Sequence, residues 1–133
     1  MDLNKLASLF RTIQLYAHLA HNKTKGPTFF QDHGYFSDLY NFAEDCYDSL
    51  IERSIGLGNE VDIVKITEQS VKVLKEIPQD DFFKHSLALV ETAVKQCESV
   101  AKNKSIGTNN LIAGLADSLE VHIYKLKQRI GSA

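Results

Sequence analysis

Three histidines near the junction of two helical segments have the chemistry of metal ligands. His18 and His21 are three residues apart in a segment of helical period, so their side chains share one face. His33 lies near the start of the next helical segment, and a short turn brings it close to His21. A His-x-x-His pair alone is a weak indication, because a single histidine on a helix is more often structural.

A stripe of three carboxylates follows on the second of these helices. Glu44, Asp48 and Glu52 are spaced by four residues and therefore stack on one side of a helix. Such a stripe is usually a solvated face. Apolar residues flank this one on the same helix: Ala43, Tyr47, Leu50 and Ile51. Carboxylates in a helix buried on nearly all sides are costly unless they bind a cation, and with histidine nitrogens they suit iron, manganese or zinc.

The spacing of these groups decides how they can meet. His33 and Asp48 are fifteen residues apart, which is roughly 22 Å along a straight helix. They cannot bind the same ion within one subunit. Two copies of the second helix, packed antiparallel across a twofold axis, would bring the histidines of one subunit against Asp48 and Glu52 of the other. The sequence therefore predicts a metal site shared between two subunits, provided that these groups form one site.

Long amphipathic helices must position these side chains. Apolar periodicity predicts helices over residues 3–23, 29–56, 79–102 and 109–130, a helical connector over 60–77 and a loop over 103–108. Glycine and proline mark the breaks between these segments. The pattern predicts a single all-α domain over residues 1–133, a ferritin-like four-helix bundle with a helical crossover between its second and third long helices.

Composition and charge narrow the class of protein. Fifteen Lys and Arg residues oppose seventeen Asp and Glu residues, and a net charge of -2 gives no reason to expect nucleic-acid binding across the whole surface. The sequence lacks an apolar stretch of about 18 residues and a signal-peptide pattern, so a cytoplasmic protein without membrane contact is expected by default. Cys46 and Cys97 form no CxxC pair and are predicted to be reduced, buried thiols.

Residues 18–58, HLAHNKTKGPTFFQDHGYFSDLYNFAEDCYDSLIERSIGLG, resemble the signature of the Dps proteins, the mini-ferritins. The spacing of the signature is kept without gaps. Its matching positions are His21, Gly26, Phe30, His33, Asp38-Leu39-Tyr40, Asp48, Glu52-Arg53 and Gly58. Residues 110–113 and 122–124 are similar to the last helix of that family.

The resemblance implies an iron-binding mini-ferritin with a di-iron ferroxidase centre shared between subunits. It also implies hydrogen peroxide as the preferred oxidant and a homo-oligomer, at least a twofold dimer, up to a shell of twelve subunits that stores ferric mineral. The ligand positions of the family fall on His21 and His33 of one subunit and on Asp48 and Glu52 of another. Zinc and manganese are the alternatives to iron at these ligands. Residues expected to surround them without binding the ion are His18, Asp38 and Glu44.

Three positions depart from the family pattern. Ser37 stands where the family usually has a carboxylate, Gly34 where a glutamate is usual, and Asn22 where a tryptophan is usual. A hard cation is charge-compensated mainly by carboxylates, so the loss of one weakens iron binding. The alternative hypothesis is therefore a ferritin-like bundle with a degenerate metal site that acts as an assembly or interaction module.

Two other activities of related proteins are not expected. DNA binding by Dps proteins often depends on a lysine-rich tail, whereas here the first helix begins almost at Met1 and the end, residues 128–133, is short. Ferritins bind iron inside a single bundle through Glu-x-x-His motifs. This sequence contains no such motif.

Overall fold

The computed structural model describes residues 2–102 and 104–131, and its elements are five α-helices. They are α1 (Asp2–Lys23), α2 (Phe29–Gly56), α3 (Ile63–Leu74), α4 (Phe82–Val100) and α5 (Ile106–Ile130). The helix α1 packs along α2, and α4 packs along α5, while α3 lies against α1. The prediction of an all-α, ferritin-like bundle with a helical crossover is confirmed.

The two N-terminal helices run antiparallel. At one end of the pair, the Ser54 hydroxyl donates a hydrogen bond to Asn4 Oδ1 at 2.7 Å. At the other end, the ring of His18 stacks on the ring of Tyr40 at a centroid distance of 4.3 Å. Apolar side chains fill the seam, and those of Phe10 and other α1 residues are completely buried. The two histidines of α1 and His33 of α2 are thereby brought to the same end of the pair.

Polar contacts hold the crossover against α1. The Ser70 hydroxyl of α3 donates to the carbonyl oxygen of Ser8 at 2.8 Å, and the Tyr16 hydroxyl donates to that of Pro78 at 2.7 Å. Asp62 caps α3 by accepting hydrogen bonds from the backbone nitrogens of the first turn. The polar groups of Ser70, Tyr16 and Asp62 therefore all have hydrogen-bond partners within the fold.

The boundaries of three predicted helices differ from the structure. The predicted loop over residues 103–108 is wrong in its second half, because α5 begins at Ile106. The Ser105 side chain accepts a hydrogen bond from the backbone nitrogen of Thr108 at 3.2 Å and so starts the helix. Asn103, the first residue of that loop, and residues 1, 132 and 133 of the predicted domain lie outside the described residues. The crossover helix is shorter than residues 60–77, and α4 begins after residues 79–81.

Both cysteines are unpaired and buried, as predicted: Cys46 is 3% exposed and Cys97 is 1% exposed. Burial raises the pKa of the Cys46 thiol to about 12 and that of the Cys97 thiol to about 11. Only the thiolate reacts with a disulfide reagent, so a titration with Ellman's reagent near neutral pH should label the folded chain at least about 100-fold more slowly than the chain in urea. Rapid labelling of the native protein would contradict this prediction.

Among the described residues, no helix combines the length and the apolar character that crossing a membrane requires.

Candidate metal centre

A tight turn between α1 and α2 determines where the histidines meet. Gly26 has a backbone φ of +90°, a conformation that glycine adopts without a steric penalty. Its carbonyl oxygen accepts a hydrogen bond from the backbone nitrogen of Phe29, the first residue of α2. The chain therefore reverses within residues 24–28, and the last turn of α1 faces the first turns of α2.

His21 and His33 hold each other through reciprocal hydrogen bonds. The Nδ1 atom of His21 lies 2.8 Å from the carbonyl oxygen of His33, and the Nδ1 atom of His33 lies 3.0 Å from the carbonyl oxygen of His21. The two rings stack at a centroid distance of 3.6 Å. A carbonyl oxygen only accepts, so each Nδ1 carries the proton and donates, and in the neutral ring each Nε2 keeps a free lone pair. Metal-binding histidines in proteins are oriented in this way.

Neighbouring side chains fix both rings in place. The Thr24 hydroxyl donates to the carbonyl oxygen of His21 at 2.9 Å, and Phe29 stacks on His33 at a centroid distance of 4.8 Å. The Tyr40 ring stands edge-on to His21 at 5.4 Å and carries the exposed His18 on its face. His18 is thus part of the aromatic wall beside the pair.

The carboxylate stripe of α2 is not buried by this chain. Glu44, Asp48 and Glu52 are all exposed, so the expectation that flanking apolar residues bury them within one chain is wrong. The apolar neighbours of the stripe point into the α1–α2 seam, which leaves the carboxylates on the outer side. Glu44 is nevertheless engaged, because it accepts a hydrogen bond from Gln14 of α1 at 2.7 Å.

The chain does not assemble a complete metal site alone. Within residues 2–102 and 104–131, no group of three or more His, Cys, Asp or Glu side chains could hold a metal ion. His21 and His33 are together, and the structure leaves Asp48 and Glu52 on a distant part of the same helix, as the fifteen-residue spacing predicts. The sharing of the site between subunits stays a prediction.

Asp38, which was predicted to lie around the ligands, is exposed and acts electrostatically on Tyr35 and His122. Burial raises the pKa of Tyr35, and the Asp38 carboxylate raises it further. The same carboxylate opposes the fall of the pKa of His122, a residue of α5. Asp38 is exposed and one residue further along α2 than Ser37, which turns it by about 100° around the helix. Its charge therefore acts on groups that lie between α2 and α5.

Aromatic residues fill the space between α2, α4 and α5. His122 is 8% exposed, and its Nδ1 atom lies 3.0 Å from the Tyr35 hydroxyl. Phe42 packs on the His122 ring at a centroid distance of 4.7 Å, and Phe36 packs on Phe83 at the same distance. Burial, with a smaller contribution from Lys125, lowers the pKa of His122 to about 4. This histidine is therefore neutral at pH 7 and serves the packing of the core.

An ion pair between the buried Asp32 and the exposed Arg129, which sequence reasoning missed, sets the position of the start of α2. Arg129 of α5 donates from Nε and Nη2 to the two carboxylate oxygens of Asp32, both at 2.9 Å. The guanidinium lies over the Phe83 ring, 4.3 Å from its centroid, and its hydrogen bonds lower the pKa of Asp32. Asp32 immediately precedes His33, so the pair anchors the second metal-ligand candidate to the far end of the chain.

Solved structures with this architecture cover nearly the whole chain. A variant of the Dps protein of Listeria innocua, in which two histidines are replaced by glycine, superposes with a TM-score of 0.86 over 99% of this chain and 93% of its own, at 20% identity. The chain has the Dps fold. Dps from Thermosynechococcus elongatus gives a TM-score of 0.85 at 21% identity, over 99% of this chain and 89% of that one.

A more distant Dps protein, from Vibrio cholerae, superposes with a TM-score of 0.64 at 17% identity, over 98% of this chain and 87% of its own. It is described as a member of the ferritin-like diiron-carboxylate superfamily. No protein-family model matches the sequence, and no curated protein matches it. At these identities the likeness to the Dps structures is one of fold.

Proposed function

We propose that the protein is an iron-binding mini-ferritin that takes ferrous iron as its substrate and oxidises it at a site shared between two subunits. The reciprocal hydrogen bonds of His21 and His33 carry this proposal, because they leave both Nε2 atoms ready to bind a metal ion. With peroxide as oxidant, two ferrous ions give one electron each and two protons are taken up, which yields two ferric ions and two waters. Dioxygen is the alternative oxidant.

The histidines and the carboxylates have different roles at the proposed site. His21 and His33 fix the position of the iron, each through one neutral nitrogen donor. Asp48 and Glu52 of a second subunit compensate its charge and favour the ferric product, since carboxylates suit hard cations. Both carboxylates are exposed on the outer side of α2, where a second chain can reach them. Manganese and zinc fit the same donors.

The proposed assembly is a homo-oligomer that stores or detoxifies iron, either a twofold dimer or a dodecameric shell. A twofold dimer contains two equivalent sites, each built from the histidines of one chain and the carboxylates of the other. DNA is not a proposed partner, because a net charge of -2 offers little to neutralise phosphate.

Ser37 favours a second candidate function, an assembly module without metal chemistry. Gly34 points the same way, since a side chain there would meet open space and glycine is not required by packing. In that case neither ferrous iron nor cobalt binds at micromolar concentration. Binding of ferrous iron or cobalt that is lost when His33 is replaced would instead support the iron-oxidising mini-ferritin.

Complementation between two inactive variants tests the shared site. His33→Asn and Glu52→Gln are each expected to abolish peroxide-dependent iron oxidation, followed by ferric absorbance. When both chains are co-expressed, half of the dimers are mixed, and each mixed dimer has one site with an intact His33 and an intact Glu52. Activity should therefore return to about one quarter of the original value under twofold symmetry.

The same experiment can contradict the proposal. The mixed dimers can be purified through a different tag on each chain. If these dimers do not oxidise iron, a site shared between His33 of one chain and Glu52 of the other is excluded. A Glu52→Gln variant that oxidises iron at the original rate would exclude Glu52 as a ligand. The matched control is Asp45→Asn, a neighbouring exposed carboxylate of α2 outside the predicted ligand set, which should leave the rate unchanged.

A further inference from the structure

We infer that Phe30 and Ile55, exposed apolar side chains near the two ends of α2, hold two copies of this chain together by packing on each other across a twofold axis. The inference rests on the proposed function for the existence of a subunit pair, and it specifies the contact that sets the register of that pair. It follows from the position of both side chains on one open face of α2 and from the charges along that helix.

Phe30 and Ile55 lie on the same face of α2 and are little covered by their own chain. Phe30 is 83% exposed and Ile55 is 59% exposed. The two residues are 25 positions apart, which is about seven turns of an α-helix, so their side chains point in nearly the same direction. Large apolar side chains left open at both ends of one helix face indicate a surface that another protein chain covers.

Antiparallel packing of two α2 helices covers both side chains at once. Phe30 is the second residue of α2 and Ile55 is the residue before its last, so the start of one helix then lies beside the end of the other. Twofold symmetry makes the contact reciprocal. Each pair of copies therefore contains the contact between Phe30 and Ile55 twice, which fits a second copy of this chain as the occupant of the face.

The charges near the two ends of α2 favour the antiparallel arrangement. The start of α2 follows the exposed Lys23 and Lys25, whereas the second half of the helix carries the exposed Asp45, Asp48 and Glu52. An antiparallel pair brings the lysines of one copy towards the carboxylates of the other. A parallel pair would instead place the like charges of both copies side by side, which is unfavourable.

The middle of the same face allows two helices to approach closely. Gly34, Ser37 and Asn41 follow Phe30 at spacings of three or four residues and therefore share its face. A Cβ atom added at Gly34 would meet no atom of its own chain within 4 Å, so the fold of one chain does not require a glycine there. Glycine within a helix lowers stability relative to alanine. A helix of a second copy on this face gives the glycine a role, because a larger side chain would hold the two backbones apart.

The contact between Phe30 and Ile55 sets a register that agrees with the proposed shared site. In an antiparallel pair, three residues forward along one helix correspond to three residues back along the other. His33, three residues after Phe30, therefore lies opposite Glu52 of the second copy, three residues before Ile55. Two exposed apolar side chains thus lead to the same pairing that the metal chemistry requires.

Disulfide cross-linking tests this register. A chain that carries both Phe30→Cys and Ile55→Cys should form covalent dimers on oxidation, which a non-reducing gel detects. The two positions are roughly 37 Å apart along one α2, so a disulfide cannot form within one chain. Each substitution alone is the matched control and should give no covalent dimer, because equal positions of the two copies lie at opposite ends of the pair. The native Cys46 and Cys97 are buried and do not contribute.

Sedimentation velocity in metal-free buffer with a chelator measures how much the contact stabilises the assembly. Phe30→Ala and Ile55→Ala should each raise the protein concentration needed for assembly at least about 100-fold, because each substitution removes an apolar anchor twice per pair. The matched control is Tyr124→Ala, which removes an aromatic side chain of α5 that is 64% exposed. Tyr124 is two residues after His122, whose ring packs on Phe42 of α2, so it points away from α2 and its loss should leave assembly unchanged.

The outcomes separate this inference from the proposed function. The inference is overturned if the double-cysteine variant gives no more covalent dimer than the single variants, or if folded Phe30→Ala and Ile55→Ala variants assemble like the unmodified protein. An unmodified chain that stays monomeric would overturn it too and would leave the face to a different partner. A protein that assembles through Phe30 and Ile55 but does not oxidise ferrous iron would refute the proposed function alone. Circular dichroism shows whether each variant is folded before its assembly is measured.

Discussion

Replacing His33 by asparagine is expected to weaken Co²⁺ and ferrous iron binding at least about 100-fold while leaving the bundle folded. The amide nitrogen of asparagine lies close to where histidine has Nδ1, so it can still donate to the carbonyl oxygen of His21. Nothing in asparagine reaches the position of Nε2, so the metal-binding atom is lost. Calorimetry measures the affinity, and thermal unfolding should show a midpoint within a few degrees of the original.

The complementary control is His33→Gln. Glutamine extends an amide to about the position of Nε2 but cannot hold the Nδ1 hydrogen bond at the same time. The carbonyl oxygen of His21 then keeps only the hydrogen bond from the Thr24 hydroxyl. This variant should lose metal affinity, and its free energy of unfolding should fall by roughly 1 kcal/mol because of the lost hydrogen bond. Asparagine and glutamine with the same affinity as histidine would show that the pair is structural and binds no metal.

The sequence alone predicts the helices and the meeting of His21 with His33. Both depend on local rules, because apolar periodicity defines the helices and a short turn must bring the ends of two successive helices together. The start of α5 shows the limit of such rules. Residues 103–108 were predicted as a loop, but the capping of Thr108 by Ser105 begins the helix at Ile106.

Features that depend on tertiary contacts could not be predicted. Asp32 and Arg129 are 97 residues apart, and no local pattern distinguishes this pair from the other acids and bases of the chain. The direction of the two imidazoles depends on backbone carbonyl oxygens, whose orientation the sequence does not reveal. The exposure of Asp48 was misjudged because its apolar neighbours pack only into one seam, and a residue one position away can already lie outside it.

Acid should destabilise the bundle between pH 6.5 and 4, and His122 should be the main cause of this change. Burial lowers its folded-state pKa to about 4, whereas an unfolded chain has the ordinary value of 6.5. In this interval the unfolded chain takes up a proton that the folded chain does not, so the free energy of unfolding falls as the pH falls. The change amounts to about 3 kcal/mol in total and ends once the pH is below the folded-state pKa.

Urea unfolding at fixed protein concentration, repeated across this pH range, measures the effect for the original chain and for His122→Asn. Asparagine can keep a hydrogen bond to the Tyr35 hydroxyl from about the position of Nδ1, and it does not titrate. Its smaller volume costs stability at every pH, but it should remove most of the slope between pH 6.5 and 4. A slope that persists unchanged would assign the effect to other groups.

Asp32 provides an internal control, because its pKa is lowered from 3.8 by the hydrogen bonds of Arg129. A carboxylate with a lowered pKa contributes stability above its ordinary pKa and loses it as the pH falls through the folded-state value. Its interval therefore lies below pH 3.8, separate from that of His122. The His122→Asn variant should keep this second loss of stability at low pH, whereas an Asp32→Asn variant should lose it and keep the slope between pH 6.5 and 4. Two independent intervals would show that the neutral histidine of the core and the ion pair at the start of α2 stabilise the bundle separately.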